Sequence, residues 1–403
     1  MRILSADLIC PIDRPPIANG FIVVNDENTI THIGDTPPLG AGNVQPIEHY
    51  EGVICPGFVN CHCHLELSHL KGKIPMLTGL PQFVRPIAQL SQQFAAEQKK
   101  AIALAEAEMC RNGIVAVGDI SNGDSTFEQK SKGKLRYYTF IEIFASFGPN
   151  NEARTEGQLE LGQALLNSIP VVNGSQAALS PHAPYTVSAK LLHEVNSYNA
   201  AHLLRTSVHN QEAMAENDFF MYGTGAFADL YAEFGVPILQ FFTPTGQHSI
   251  RYLIDNMPHQ GPLLLVHNTI TQAEDIQYAK AAKPSEIYWC FCPNANMYIE
   301  GRLPDFDLFR REKVNIVVGT DSLASNQGLC ILSELKTITR HAAHISFFSD
   351  LLRWATLNGA LSLGFEKELG SLTVGKKPGL NLLSDIAISE GKLCQETKVR
   401  VLV

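Results

Sequence analysis

A chain of 403 residues with 45% hydrophobic content can bury a catalytic domain of ~250 residues and still supply an accessory module. Its 31 basic and 40 acidic side chains leave a formal charge of -9, which opposes binding to nucleic acid or to an anionic membrane surface and points to a small-molecule partner. No run reaches the ~20 apolar residues that span a bilayer; residues 1–10 alternate and carry Asp7 where a signal peptide would be apolar; and the nine cysteines are scattered as in a reduced, cytoplasmic chain.

In chain order, residues 1–9, 21–25 and 29–33 read as short strands punctuated by Asn25-Asp26-Glu27-Asn28. From there the pattern alternates strand-like and helix-like segments. Eight apolar runs read as strands: 52–64, 114–120, 135–145, 176–182, 203–209, 262–267, 287–292 and 315–321. Amphipathic stretches such as 97–111 and 188–198 lie between them with helical spacing. Eight βα units predict an α/β fold, a (β/α)8 TIM barrel over residues 54–365, with an open doubly wound sheet as the rival. A helical stretch at 348–363 is followed by strand-like runs at 370–375, 380–383 and 399–403. The two terminal groups, 1–53 and 366–403, are each too small to bury a core, so they are expected to pair into one composite β-sandwich.

Five of the eight strands end in His or Asp: His62 and His64 on the first, His182 on the fourth, His209 on the fifth, His267 on the sixth and Asp321 on the eighth. A lone histidine after a strand is more often structural, but several at the C-terminal ends of barrel strands converge where barrel active sites lie. His62 and His64 are two residues apart and share one face of an extended strand; Cys61 and Cys63 face the other way and read as packing residues. With His209 and Asp321 they make a nitrogen and oxygen donor set for one divalent metal ion, zinc by default, with iron or manganese as alternatives. Glu212, three residues after His209, is placed as general acid/base for a metal-activated water, although its charge also suits the start of a helix. His267 reads as a catalytic histidine that orients the attacking group. His182 reads as a substrate contact or, equally, as a structural residue between Pro181 and Pro184.

Together these residues resemble the amidohydrolase superfamily, in its branch of triazine chlorohydrolases and aminoheterocycle deaminases. Residues 56–64 (PGFVNCHCH) resemble the first-strand signature, and Val318-Gly319-Thr320-Asp321-Ser322 with Ser325-Asn326 the last-strand signature. Residues 180–187 (SPHAPYTV), 209–212, 292–296 and 355–360 resemble further landmarks in order; Pro378-Gly379-Leu380 departs from the usual Ala-Asp-Leu. The resemblance leaves open one metal or two. Residues 176–187 contain no lysine to be carboxylated as a bridge, so one metal is favoured, as in the deaminases of the superfamily.

The resemblance implies hydrolytic deamination of an aminated purine-like ring, with Asp321 both ligand and catalytic residue. Residues 62–68 and 297–304 are closest to branch members acting on aminodeoxyfutalosine. Adenosine or S-adenosylhomocysteine deamination, triazine dechlorination and cyclic-amide hydrolysis are the enzymatic alternatives; a metal-binding scaffold is the non-enzymatic one. Glu66 and Asn296 are expected to touch substrate. A substrate carboxylate would need a cation at the pocket mouth, for which Arg302 is preferred over Arg85, and a homodimer is expected. His64-Leu65-Glu66 also begins the His-x-Glu pattern of another zinc deaminase architecture, but its Pro-Cys-x-x-Cys half is missing.

Overall fold

The structure is a computed structural model that describes residues 1–37, 46–145, 147–258, 261–283 and 287–403. The N-terminal strands are β1 (Arg2–Ile9), β2 (Ile17–Ala18), β3 (Phe21–Val24), β4 (Ile30–Gly34) and β5 (Ile47–Pro56). The middle of the chain contributes β6 (Phe58–Cys63), β7 (Ile114–Ser121), β8 (Arg136–Ile143), β9 (Gln176–Pro181), β10 (Thr206–Asn210), β11 (Leu263–His267), β12 (Ile287–Phe291) and β13 (Asn315–Val318). Near the C-terminus lie β14 (Leu380–Ser384) and β15 (Lys398–Val401).

Strands β6 to β9 form one four-stranded parallel sheet and β10 to β13 another, each in sequence order, as successive βα units dictate. Backbone bonds join the two at both margins. His209 N–H donates to the His182 carbonyl at 3.0 Å, and the N–H groups of Thr320 and Asp321 both donate to the His62 carbonyl at 3.0 Å. These strands are buried on both faces, which is why they read as nearly continuous apolar runs. Val59, Cys61, Phe140, Leu264 and Cys290 pack into one cluster. Phe58, Tyr137, Leu265 and Trp289 pack into another with helical residues such as Met109, Leu191 and Leu335. Each such side chain taken out of water contributes ~1.5–3 kcal/mol. The helices expected at 97–111 and 188–198 are found as Ala95–Arg111 and Ala189–Ala201, the latter capped by the Ser188 hydroxyl accepting from Leu191 N–H.

Strands from both ends of the chain lie in one seven-stranded sheet of order β15-β14-β5-β1-β3-β4, with β2 paired to β1. Its apolar side is Leu4, Ile22, Ile54, Leu380 and Leu382. Three expected elements are corrected. The run 52–64 is two strands in two sheets, because the chain turns at Gly57, whose N–H donates to the carbonyls of Pro378 and Gly379. A Cβ at Gly57 would lie 2.2 Å from Val115 Cγ1 and 2.8 Å from the Pro378 carbonyl oxygen, so only glycine passes there. Residues 370–375 form a loop instead of a strand, since Gly370 and Gly375 both take positive φ (81° and 92°). The helix expected at 348–363 is broken into Phe347–Leu351, Leu352–Trp354 and Leu357–Leu363.

Candidate active site

Because the strands are parallel, their C-terminal ends share one rim, and the residues there leave strand geometry to turn inward. His267 (φ 77°), Asp321 (φ 56°) and Gln211 (φ 46°) all adopt left-handed backbone, a conformation that non-glycine residues hold only where the surroundings enforce it.

His62, His64, His209 and Asp321 converge. His64 Nε2 lies 3.2 Å from His209 Nε2, and Asp321 Oδ1 lies 3.5 Å from His62 Nε2 and 3.6 Å from His64 Nε2. Ligands at ~2.0–2.1 Å from one tetrahedral ion would sit ~3.3 Å apart, so the spacing fits a single metal. Both ring nitrogens of the buried His62 lack a hydrogen-bond partner, a costly arrangement unless something else takes the lone pair. His209 Nδ1–H donates to the His182 carbonyl at 2.8 Å, which leaves Nε2 as the free donor atom. The Ser325 hydroxyl donates to Asp321 Oδ2 at 2.5 Å and leaves Oδ1 toward the imidazoles. Among the described residues His62, His64 and His209 form one group that could hold a metal ion, and His62, His267 and Asp321 form another that shares His62.

Charge agrees with geometry. Burial, followed by the neighbouring His62, pushes the His64 imidazole down to about 3, and burial with the surrounding rings holds His209 well below its usual range. Burial alone would push the Asp321 carboxyl up, but His62, His64 and His267 outweigh it and hold it well below the usual carboxylate range. Neutral imidazoles and one carboxylate are the states a metal requires.

Glu212 and His267 stand beside this cluster, Glu212 Oε2 lying 3.6 Å from His267 Nε2. Burial first, then the nearby Asp321 and Glu216 carboxylates, push Glu212 well above its ordinary value. His267 is pushed down to about 4 by burial, and its Nδ1 is 3.2 Å from Asn296 Oδ1, whose amide group in turn donates to the Thr269 hydroxyl. Asn296 is wholly buried and holds His267, where the sequence suggested a substrate contact. His182 packs against His209 with ring centroids 4.9 Å apart and meets the Thr186 hydroxyl at 2.7 Å.

Glu66 is bonded at both oxygens by Asn122, through N–H at 3.1 Å and Nδ2 at 2.9 Å, and the same Nδ2 reaches Glu142 at 2.9 Å. Glu142 Oε1 lies 3.6 Å from His209 Nδ1. Sequence reading missed Glu142 and Asn122; the one legible signal was a lone carboxylate inside the apolar run Phe140-Ile141-Glu142-Ile143-Phe144. It also missed the buried Lys130–Asp119 pair at 2.6 Å, whose carboxylate accepts Leu65 N–H at 2.9 Å and so fixes the chain directly after His64. The two arginines are not brought to the cluster. Arg85 is exposed and pairs with Glu233 at 2.6 Å, and Arg302 is exposed in a separate surface cavity of about 430 Å³ with Met297, Phe306 and His341.

The amidohydrolase family model matches residues 53–397. The chain belongs to the amidohydrolase family. Among its relatives, a 5-methylthioadenosine/S-adenosylhomocysteine deaminase of Teredinibacter turnerae is 28% identical over 342 residues, covering 81% of this chain and 70% of the relative. Among solved structures, the aminofutalosine deaminase of Helicobacter pylori in complex with methylthio-coformycin superposes with a TM-score of 0.79 at 22% identity, over 95% of this chain and 92% of that one. The zinc complex of atrazine chlorohydrolase from Arthrobacter aurescens gives a TM-score of 0.76 at 16% identity, over 100% and 95%. At these identities the structural likeness speaks for the fold, an α/β fold of TIM-barrel type. Among the described residues no helix is long and apolar enough to cross a membrane.

Proposed function

We propose that this chain is a metal-dependent hydrolytic deaminase of an aminated purine-like ring, with His62, His64, His209 and Asp321 holding one divalent ion, zinc in the first instance. The observation that carries the reading is the pairing of this donor set, with its orphaned His62 nitrogens, and a buried carboxyl whose burial favours the protonated form, Glu212. When bound, the ion supplies Lewis acidity that makes a water nucleophilic near neutral pH. Glu212 is the proton carrier, delivering its proton to the ring nitrogen beside the amine-bearing carbon so that the carbon accepts water and ammonia leaves. His267, kept neutral and held through Nδ1 by Asn296, presents Nε2 to the reacting group. Buried Asp321 stays anionic and serves as a base as well as a ligand. Glu66 and His182 line the substrate side of the cluster. Relatives named as deaminases of adenine-bearing compounds support a nucleoside-type substrate. Arg85 and Arg302 lie away from the cluster, so a carboxylated substrate such as aminodeoxyfutalosine would find its cation elsewhere.

The same reading closes the two parallel sheets into one eight-stranded barrel over residues 54–365, supported by the backbone bonds at both margins, and makes 1–53 with 366–403 the composite sandwich. The deciding experiment is ammonia release from adenosine, 5′-deoxyadenosine, methylthioadenosine, S-adenosylhomocysteine and aminodeoxyfutalosine, alongside a chlorotriazine and a cyclic amide. Turnover of an adenine-bearing compound, abolished by chelation and restored by zinc, is expected. Activity only on the last two, or activity indifferent to thorough chelation, overturns the reading.

A further inference from the structure

The segment that carries Glu212 leaves β10 through Gln211, whose left-handed φ of 46° has to be imposed from outside. Four neighbours impose it. The Gln211 amide is clasped at both ends, Nε2 donating to Asp275 Oδ2 at 3.0 Å and Oε1 accepting from the Thr271 hydroxyl at 2.8 Å. Its carbonyl accepts Ile270 N–H at 3.1 Å. The Glu216 carboxylate takes the two successive backbone donors, Gln211 N–H on Oε1 at 3.0 Å and Glu212 N–H on Oε2 at 3.3 Å.

Glu216 sits in the first turn of the helix Met214–Tyr222, whose N-cap is Ala213. A carboxylate with a purely helix-capping role would bond the N-cap residue's own N–H. This one reaches past Ala213 to the two residues before the helix. It is fully buried. A buried carboxylate is expensive, and hydrogen bonds from the Ser249 side chain and the two backbone N–H groups offset part of that cost.

Resting on the reading of Glu212 as proton carrier, we infer that Glu216 is a positioning residue for the reaction: it holds the Gln211–Glu212 backbone so that the Glu212 side chain stays beside His267 and the metal cluster. It touches neither metal nor substrate. The test uses E216A and E216Q in the full-length, zinc-loaded protein. Hydrogen exchange across residues 206–216 should quicken in E216A with other regions unchanged, metal content should be retained, and kcat should fall ~10- to 100-fold while KM stays within about twofold. E216Q keeps one carbonyl acceptor and should recover part of both effects, and it carries the test if E216A does not fold. Unchanged exchange, unchanged kcat, or loss of metal in step with kcat overturns the inference. If the wild type turns over none of the proposed substrates, the proposed function fails, while the exchange measurement still decides whether Glu216 is the clamp.

Discussion

The His209 imidazole is held in one orientation by the His182 carbonyl behind it, whereas Glu212 lies against His267, at 3.6 Å. Removing a ligand and removing the proton carrier should therefore have different signatures. H209A is expected to lose metal and activity together. E212Q should keep about one metal per chain and lose turnover by ~10² or more, measured by metal analysis beside steady-state kinetics. Metal loss in E212Q would make Glu212 a ligand. The exposed arginines give a contrasting expectation. R302A and R85A should leave kcat/KM on an adenine-bearing substrate within about twofold, because neither side chain is in contact with the cluster and exposed pairs contribute little. A tenfold rise in KM for R302A would return that arginine to the pocket mouth.

At the scale of elements, the site depends on how closely the first and last strands of the two parallel sheets approach. Gly319, just beyond β13, packs on the backbone of β6 at His62: a Cβ there would stand 2.8 Å from His62 Cβ, 2.8 Å from its nitrogen and 2.9 Å from its carbonyl oxygen. None of those atoms is the far end of a flexible chain, so the strands must part. G319A should cost ~1–3 kcal/mol of stability by overpacking and weaken metal affinity, because His62 moves with the strand. Thermal unfolding and a competition titration with a zinc chelator check both effects, and a variant with wild-type affinity would show that the strand spacing is not what sets the cluster. This approach was half legible: Val318-Gly319-Thr320-Asp321 stood out in the sequence, whereas what the glycine touches did not, since His62 is 257 positions away in the chain.

For the whole molecule, burying so many titratable groups fixes the pH dependence of stability in the metal-free state. Burial pushes Glu66, Glu142 and Glu216 up to about 7 and Glu334 up to about 8, from an ordinary value of 4.5. Between those limits the folded chain binds the extra protons, so these groups lose stability as pH rises. His64, His182 and His267 are pushed down to about 3, 4 and 4 from 6.5, so the unfolded chain binds the extra protons there and stability rises with pH up to 6.5. The two sets oppose each other below 6.5; above it the carboxylates lower stability as pH rises, joined towards pH 9 by thiols that burial pushes up, such as Cys55 and Cys63, while Lys283, which burial pushes down to about 8, works against them. The chelator-treated protein should thus show a falling Tm from about pH 6.5 to about pH 8.5, with a shallower fall in E334Q, which cannot ionise. A flat or rising Tm over that interval would contradict the assignment.

The sequence by itself determined the donor types and their order along the chain: His62, His64, His209, Glu212, His267 and Asp321 each follow an apolar run, and strand periodicity is a local property that a linear reading captures. It also determined that both termini are strand-forming. Only the tertiary structure decided which side chains touch. Glu142, Asn122, Glu216 and the Lys130–Asp119 pair lie against the site through contacts between different strands and helices, and apart from the lone carboxylate of Glu142 in its apolar run nothing in their local sequence marks them. Arg302, expected at the pocket mouth, is exposed in a surface cavity. Closeness in sequence to a strand end says little about direction, and between the end of β12 at Phe291 and Arg302 the chain runs through a helix, Pro293–Ile299, to a separate surface cavity. Turns fail the linear reading most often, because left-handed residues such as His267 and Gln211 are held by partners distant in the chain, and the force that bends the backbone toward the metal cluster comes from those partners.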